Sequence, residues 1–192
     1  PQFPSLFMNM VNGGAHAGFR LPIQEHIVVV HGLPKEAYTR ACKIFTSLGH
    51  ALEHKLGKVA LGDEGGYAPI LRGEDEAFRY LRGAIEGHTD AYLAVDVAAT
   101  SFYHRERYHF GVEHLSREKL RDCLVAYARK YDVRSFEDPF MEDDGEGCAT
   151  LLAALPEGSL VVGDDITTTN QERIKILHEE KALNAMIVKP NQ

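Results

Sequence analysis

Four successive apolar segments of this chain each end in an ionisable residue. Asp96 ends YLAVD, Glu137 ends VRSFE, Asp164 ends SLVVGD and Lys189 ends NAMIVK. Side chains alternate along a strand, so Asp164 falls on the same face as Val162. If the equivalent faces of all four segments point inward, three carboxylates and one ammonium share one pocket.

These residue types indicate a metal site. Three close carboxylates repel one another and raise one another's pKa unless a cation neutralises them. Oxygen ligands without a neighbouring cysteine or histidine cluster suit a hard cation such as Mg²⁺. Lys189 beside such a site is a candidate proton-transfer group. One strand-end carboxylate alone is more often a cap or an ion-pair partner, but four ionisable residues in register favour a functional site.

The elements that position these residues alternate along the chain. FMNMVNGG and IQEHIVVV read as strands, and an apolar stripe predicts a helix over 35–58. After a second helical pattern, EDEAFRYLRGAIEG, strand and helix units repeat to the C-terminal segment ALNAMIVKPNQ. Such alternation predicts an α/β fold with parallel pairing, either a closed barrel or an open doubly wound sheet. Both collect site residues at the carboxyl ends of the strands.

Composition narrows the function classes. The 192 residues carry 28 acidic and 21 basic side chains, a formal charge of -7, which gives no electrostatic footprint for nucleic acid. Three widely spaced cysteines suggest reduced thiols in a cytoplasmic protein rather than a disulfide framework. No segment has the roughly 20 apolar residues of a membrane span. The length suggests one domain over residues 1–192.

Several further motifs have weaker interpretations. HALEH matches an inverted zinc-protease pattern, with His50 and His54 as ligands and Glu53 as base, but its histidines fall on the solvent side of the predicted helix. NGGAHAG fits neither common phosphate-loop pattern. GEDEAF reads as an acidic helix start. FYHRERYHFGVEH predicts a polar hairpin with three histidines, for which a metal role has little support.

Seven ordered motifs together resemble the catalytic domain of the enolase family: MNMVNGGAHAG, IQEH, LGDEGGYAP, LAVDVA, SFEDPFMEDD, VVGDDITTTN and IVKPNQ. The resemblance spans essentially the whole chain. It implies an enolase-type TIM-like barrel and the Mg²⁺-dependent, reversible dehydration of 2-phosphoglycerate to phosphoenolpyruvate in glycolysis. An acid-sugar dehydratase of the wider superfamily is a more distant alternative, which GDEGG and KPNQ disfavour.

The resemblance also implies residue roles. Asp96, Glu137 and Asp164 match the ligands of the first Mg²⁺. Lys189 matches the base that removes the C2 proton, and Glu64 of GDEGG matches the acid that helps the 3-hydroxyl leave. The residues that match the lining of the substrate and acid side of the pocket are His16, Gln24 and Glu25.

The same resemblance predicts an incomplete barrel of about six of eight strands. The family's second catalytic lysine, its phosphate-gripping stretch and its N-terminal domain have no counterpart in these 192 residues. We therefore expect a homo-oligomer or a complementing chain to cover the open edges, and weak or no activity from this segment alone. The alternative is a catalytically silent enolase-like module with a structural or interaction role.

Overall fold

The structure, a computed structural model, describes residues 3–18 and 21–191. The chain divides into two compact units, which follow one another at Val95 and Asp96 and are called here the N-terminal and C-terminal units. Strands and helices alternate along both, which confirms the predicted α/β class.

The N-terminal unit contains the strands β1 (Leu6–Asn12), β2 (Glu25–Val30) and β3 (Ala91–Asp96), in the order β1-β2-β3, with Asp96 itself opening the C-terminal unit. β1 and β2 are antiparallel, and their register is interrupted between Asn9 and Val11. Between β1 and β2 the described chain has only a short 3-10 turn, Ala15–Ala17, instead of the crossover helix that parallel pairing requires.

Two helices belong to this unit, α1 (Pro34–Leu56) and α2 (Glu74–Ala84). The predicted apolar stripe of α1 is buried at Ala41, Ile44, Leu48 and Leu52, whereas Phe45 is half-buried and Leu56 at its end is 39% exposed. Pro34 starts the helix, where a missing N–H costs no hydrogen bond. No helix within the described ranges has the length and apolar character that crossing a bilayer demands.

The C-terminal unit opens with a three-stranded antiparallel meander, β4 (Tyr103–His104), β5 (Arg107–Phe110) and β6 (Glu113–Leu115). The sequence predicted a hairpin here, and the structure adds a third strand. Both residues of the β4–β5 turn, Arg105 and Glu106, have positive φ, 50° and 59°. One side of the meander is buried through Tyr108 and Leu115.

Three parallel strands follow in the order β7-β8-β9: β7 (Val133–Glu137), β8 (Leu160–Gly163) and β9 (Ala185–Met186). They alternate with α3 (Arg117–Tyr131), α4 (Gly145–Ala154) and α5 (Gln171–Glu179). Each helix starts at a polar cap: Ser116, Asp144 and Asn170 accept hydrogen bonds from backbone N–H groups of the first turn. These caps fix where each strand-to-helix connection ends.

Candidate active site

The carboxyl ends of the strands in the C-terminal unit are joined by backbone hydrogen bonds. The Val97 N–H donates to the Glu137 carbonyl at 2.9 Å, and the Asp138 N–H donates to the Val162 carbonyl at 3.0 Å. Glu137 lies opposite Val162 in the parallel register. Glu137 and Val162 therefore share a face, as the alternation of side chains predicted.

Lys189 and Asp164 form an ion pair at this edge. The Lys189 Nζ lies 2.7 Å from the Asp164 Oδ2, with side chains 38% and 19% exposed. The hydrogen bond to Asp164 raises the pKa of Lys189. The prediction that Lys189 ends a strand is wrong by three residues, because β9 ends at Met186. The Ile187 N–H still donates to the Gly163 carbonyl, but Pro190 has no N–H that could extend the ladder.

The predicted metal ligands lie at strand ends: Asp96 and Glu137 end β3 and β7, and Asp164 directly follows β8. Asp96 is 8% exposed, and its Oδ1 accepts the Ala98 N–H at 3.0 Å. Glu137 and Asp164 are half-buried. Within residues 3–18 and 21–191, no three or more His, Cys, Asp or Glu side chains are grouped so as to hold a metal ion. The oxygen donors fit Mg²⁺ by chemistry, and in this arrangement the Lys189 ammonium supplies the counter-charge of Asp164.

Asp138 is a site residue that the sequence analysis missed. Its carboxylate is 5% exposed and accepts two backbone N–H groups, from Asp164 at 3.1 Å and from Asp165 at 2.7 Å. Burial nevertheless raises its pKa. The available signal was its place directly after Glu137 in SFEDPF; strand alternation had directed attention to Glu137 alone. Asp138 fixes the backbone that presents Asp164.

In the N-terminal unit, the loop around Glu64 is held against β1. The Asn12 Nδ2 donates to the Glu64 Oε2 at 2.7 Å, and the Asn9 Nδ2 donates to the same oxygen at 3.3 Å. The Asn12 Oδ1 accepts the Gly66 N–H at 3.0 Å. A Cβ at Gly66 would lie 2.9 Å from that Oδ1, and one at Gly62 would lie 2.7 Å from the Asn12 Cβ. Gly62 and Gly66 thus permit the close approach of Asn12, a contact that the sequence analysis missed.

Glu25 and Glu64 form a pair of interacting carboxyl groups. Glu25 lies opposite Asn12 in the β1–β2 register. Burial, followed by the charge of Glu64 and a hydrogen bond with it, raises the pKa of Glu25 to about 7. A hydrogen bond between two carboxyl groups requires a proton on one of them, so near neutral pH the pair holds one proton for part of the time.

The two remaining predicted substrate-binding residues are Gln24 and His16. Gln24 is half-buried, and its backbone carbonyl accepts the Gly13 N–H at 2.8 Å. The side chain of His16 lies outside the described part of the chain.

His26 of β2 and Glu74 of α2 form a buried polar pair. The His26 Nε2 is 2.5 Å from the Glu74 Oε2, and the two side chains are 0% and 2% exposed. The Glu74 Oε1 accepts the Ile23 N–H at 3.0 Å, while the His26 Nδ1 donates to the Val11 carbonyl at 3.3 Å. The acidic start of α2 is therefore only partly a solvated helix end, because Glu74 anchors the segment that leads to Glu25.

Two other features lie apart from these groups. His50 and His54 are exposed on α1, on the solvent side that the sequence predicted. A groove of about 540 Å³ in the C-terminal unit contains none of the predicted site residues; its lining includes Leu152, Ile174, Leu183 and Met186.

Comparison with known proteins gives consistent matches. Residues 2–192 match the family model described as enolase, C-terminal TIM barrel domain. The chain is 36% identical over 200 residues to the enolase of Aeropyrum pernix, which covers 100% of this chain and 46% of that protein. It is 37% identical over 210 residues to enolase B of Dictyostelium discoideum, with 100% and 47% covered. The enolase of Solanum lycopersicum is 36% identical over 200 residues, with 96% and 45% covered. The chain spans about half the length of these curated relatives.

Proposed function

The chain belongs to the enolase family and has the fold class of its C-terminal barrel domain, and from this premise we propose an enolase-type lyase function. The proposed reaction is the reversible, Mg²⁺-dependent dehydration of 2-phosphoglycerate to phosphoenolpyruvate in the cytoplasm. We retain the prediction that residues 1–192 form one partial barrel domain. The observation that carries the proposal is the Glu25–Glu64 pair, since a carboxyl group with a pKa of about 7 can donate a proton at neutral pH.

Removal of the C2 proton is assigned to Lys189. A proton next to a carboxylate is barely acidic, because its removal adds negative charge to an anionic group. Asp96, Glu137 and Asp164 are the residues that would hold Mg²⁺, whose chemistry there is to stabilise that developing charge. Lys189 can accept a proton only after its ammonium has lost one to water, and separation from Asp164 favours that loss because the carboxylate stabilises the charged form.

Departure of the 3-hydroxyl is assigned to the paired carboxyl groups. Hydroxide is a poor leaving group, so Glu64 or its partner Glu25 must protonate it. Asn12 orients the Glu64 carboxylate through its 2.7 Å hydrogen bond. His16 and Gln24 are proposed to bind the substrate, as the family resemblance implies.

Titration calorimetry with Mg²⁺ tests the metal assignment. The Asp164→Asn variant removes a proposed ligand charge, and the exposed neighbour Asp165→Asn is the matched control. We expect Asp164→Asn to weaken Mg²⁺ binding about tenfold or more and Asp165→Asn to leave it near the wild-type value. Identical isotherms for wild type and Asp164→Asn would exclude the assignment.

Proton exchange at C2 of 2-phosphoglycerate in D₂O, followed by NMR, tests the base separately from the whole reaction. We expect slow or no net turnover by this chain, but measurable exchange. Lys189→Met should lower the exchange rate at least about 100-fold, whereas the exposed control Lys175→Met should not change it. Glu64→Gln should retain exchange at C2 and lower any residual formation of phosphoenolpyruvate. Exchange that survives Lys189→Met, or rapid phosphoenolpyruvate formation by the wild-type chain, would contradict these expectations.

A catalytically silent module is the second candidate. One observation favours it: among the described residues, no three potential ligands are grouped to hold a metal ion. Absence of both Mg²⁺ binding and C2 exchange would support this candidate. We also propose that the chain forms a homo-oligomer or pairs with a complementing chain, because β9 is an edge strand that pairs with β8 alone among the described strands. The mass in solution, measured by light scattering, tests this, and a monomer would contradict self-association.

A further inference from the structure

Two histidines face each other on the outer side of the meander. His109 and His114 are directly opposite in the β5–β6 register, and their ring centroids lie 4.2 Å apart with an interplanar angle of 82°. Tyr108 and Leu115, on the other side of the same strands, are buried. The two imidazoles therefore project from strands whose other side is packed in the core. Both are accessible to solvent, since His114 is exposed and His109 is half-buried.

We propose that His109 and His114 form a two-ligand chelate for a borderline transition cation, the class of Ni²⁺, Zn²⁺ and Cu²⁺. Imidazole nitrogen suits these ions, whereas Mg²⁺ prefers oxygen. Metal–nitrogen bonds of about 2.0 to 2.1 Å place two ligating nitrogens about 3 Å apart. Rings already in contact across a strand pair reach that separation by side-chain rotation, and water fills the other coordination positions.

The site is limited to two protein ligands. The His104 ring lies 5.9 Å from that of His109, and its register partner is Arg107, which shares the outer face. The guanidinium opposes a cation at that end of the face. Consistently, the described residues contain no group of three or more potential ligands that could hold a metal. The proposal is independent of the enolase-type function, because it uses none of the residues assigned to that reaction.

Calorimetric titration with Ni²⁺, in excess Mg²⁺ that occupies oxygen sites, tests the chelate. His109→Gln, His114→Gln and the double variant should each weaken the tightest Ni²⁺ site by about tenfold or more. The two single variants should equal the double variant, because a chelate is lost with either arm. His50→Gln/His54→Gln, which removes the exposed pair one turn apart on α1, is the matched control and should leave this site unchanged.

Other results overturn the assignment. Wild-type affinity in His109→Gln or His114→Gln would exclude the pair. Loss of the site in the α1 control would place Ni²⁺ on the helix instead. A loss in His104→Gln as large as that in His114→Gln would show three ligands and contradict the two-ligand site. All the substituted side chains are exposed or half-buried, so far-ultraviolet circular dichroism suffices to show that the variants fold.

Discussion

The two units neutralise their carboxylates in opposite ways. In the N-terminal unit, Glu25 meets a second carboxyl group, and burial with like charge raises its pKa to about 7. In the C-terminal unit, Asp164 meets the ammonium of Lys189 at 2.7 Å near the surface. A like-charge pair retains a proton, and an opposite-charge pair retains a counter-ion. A carboxyl group thus becomes an acid in one place and a cation-binding group in the other, according to its environment.

The largest loss of stability is expected where a buried polar pair of the N-terminal unit loses one partner. Glu74→Ala leaves the His26 ring and the Ile23 N–H without their acceptor in a fully buried place. We expect it to lower the free energy of unfolding by about 3 to 5 kcal/mol, measured by urea denaturation. The exposed Glu86→Ala, just beyond the end of α2, is the control and should change it by less than about 0.5 kcal/mol. Similar effects of both variants would show that the buried pair contributes little.

The equivalent test in the C-terminal unit is Asp138→Ala. It removes the acceptor of two backbone N–H groups, and we expect a loss of about 2 to 3 kcal/mol in the same denaturation experiment. Asp138→Asn retains one acceptor oxygen, so its free energy of unfolding should lie between those of the wild type and Asp138→Ala. A stability equal to wild type in Asp138→Ala would remove Asp138 from its proposed positioning role.

The shared proton predicts a pH dependence with a definite sign. Because the pKa of Glu25 is raised from 4.5 to about 7, the folded state binds more protons than the unfolded state between these values, and stability falls as pH rises through them. Glu25→Gln removes this slope. After allowance for solvent screening, we expect its stability relative to wild type to rise by about 2 kcal/mol between pH 4.5 and pH 8.

The exposed Glu86→Gln is the control for this prediction and should retain the wild-type slope. Parallel pH profiles for Glu25→Gln and wild type would show that the N-terminal unit holds no such proton. A retained proton would then no longer distinguish the N-terminal unit from the ion pair of the C-terminal unit.

The smallest effect is expected at the surface pair. Lys189→Met should change the free energy of unfolding by less than about 1 kcal/mol, because its side chain is 38% exposed and water already screens the charge. Any difference should shrink further in 1 M salt. A loss of more than about 2 kcal/mol, measured by thermal denaturation at low salt, would show that Lys189 supports the fold as well as the proposed reaction.

Much of the fold follows from local pattern, since α1, α2, α3, α5 and the longer strands carry clear apolar periodicity. The roles of Asp138 and Glu74 did not follow, because each depends on hydrogen bonds to backbone groups distant in sequence. The same holds for Asn12, whose contact with Glu64 spans 52 residues. Apolar periodicity in a sequence predicts which face of an element a residue occupies, but not which hydrogen-bond donor its side chain contacts.

The β4–β5 turn has a consequence for hydrogen exchange. Arg105 and Glu106 both occupy the left-handed region, at about 1 to 2 kcal/mol per residue, whereas the β5–β6 turn uses Gly111, at φ 64°, which has no Cβ to clash. The meander should therefore open from its β4 edge. Backbone amides that join β4 to β5 should exchange with deuterium before the amides that join β5 to β6. The strand pair that carries His109 and His114 should therefore stay hydrogen-bonded while β4 separates from β5.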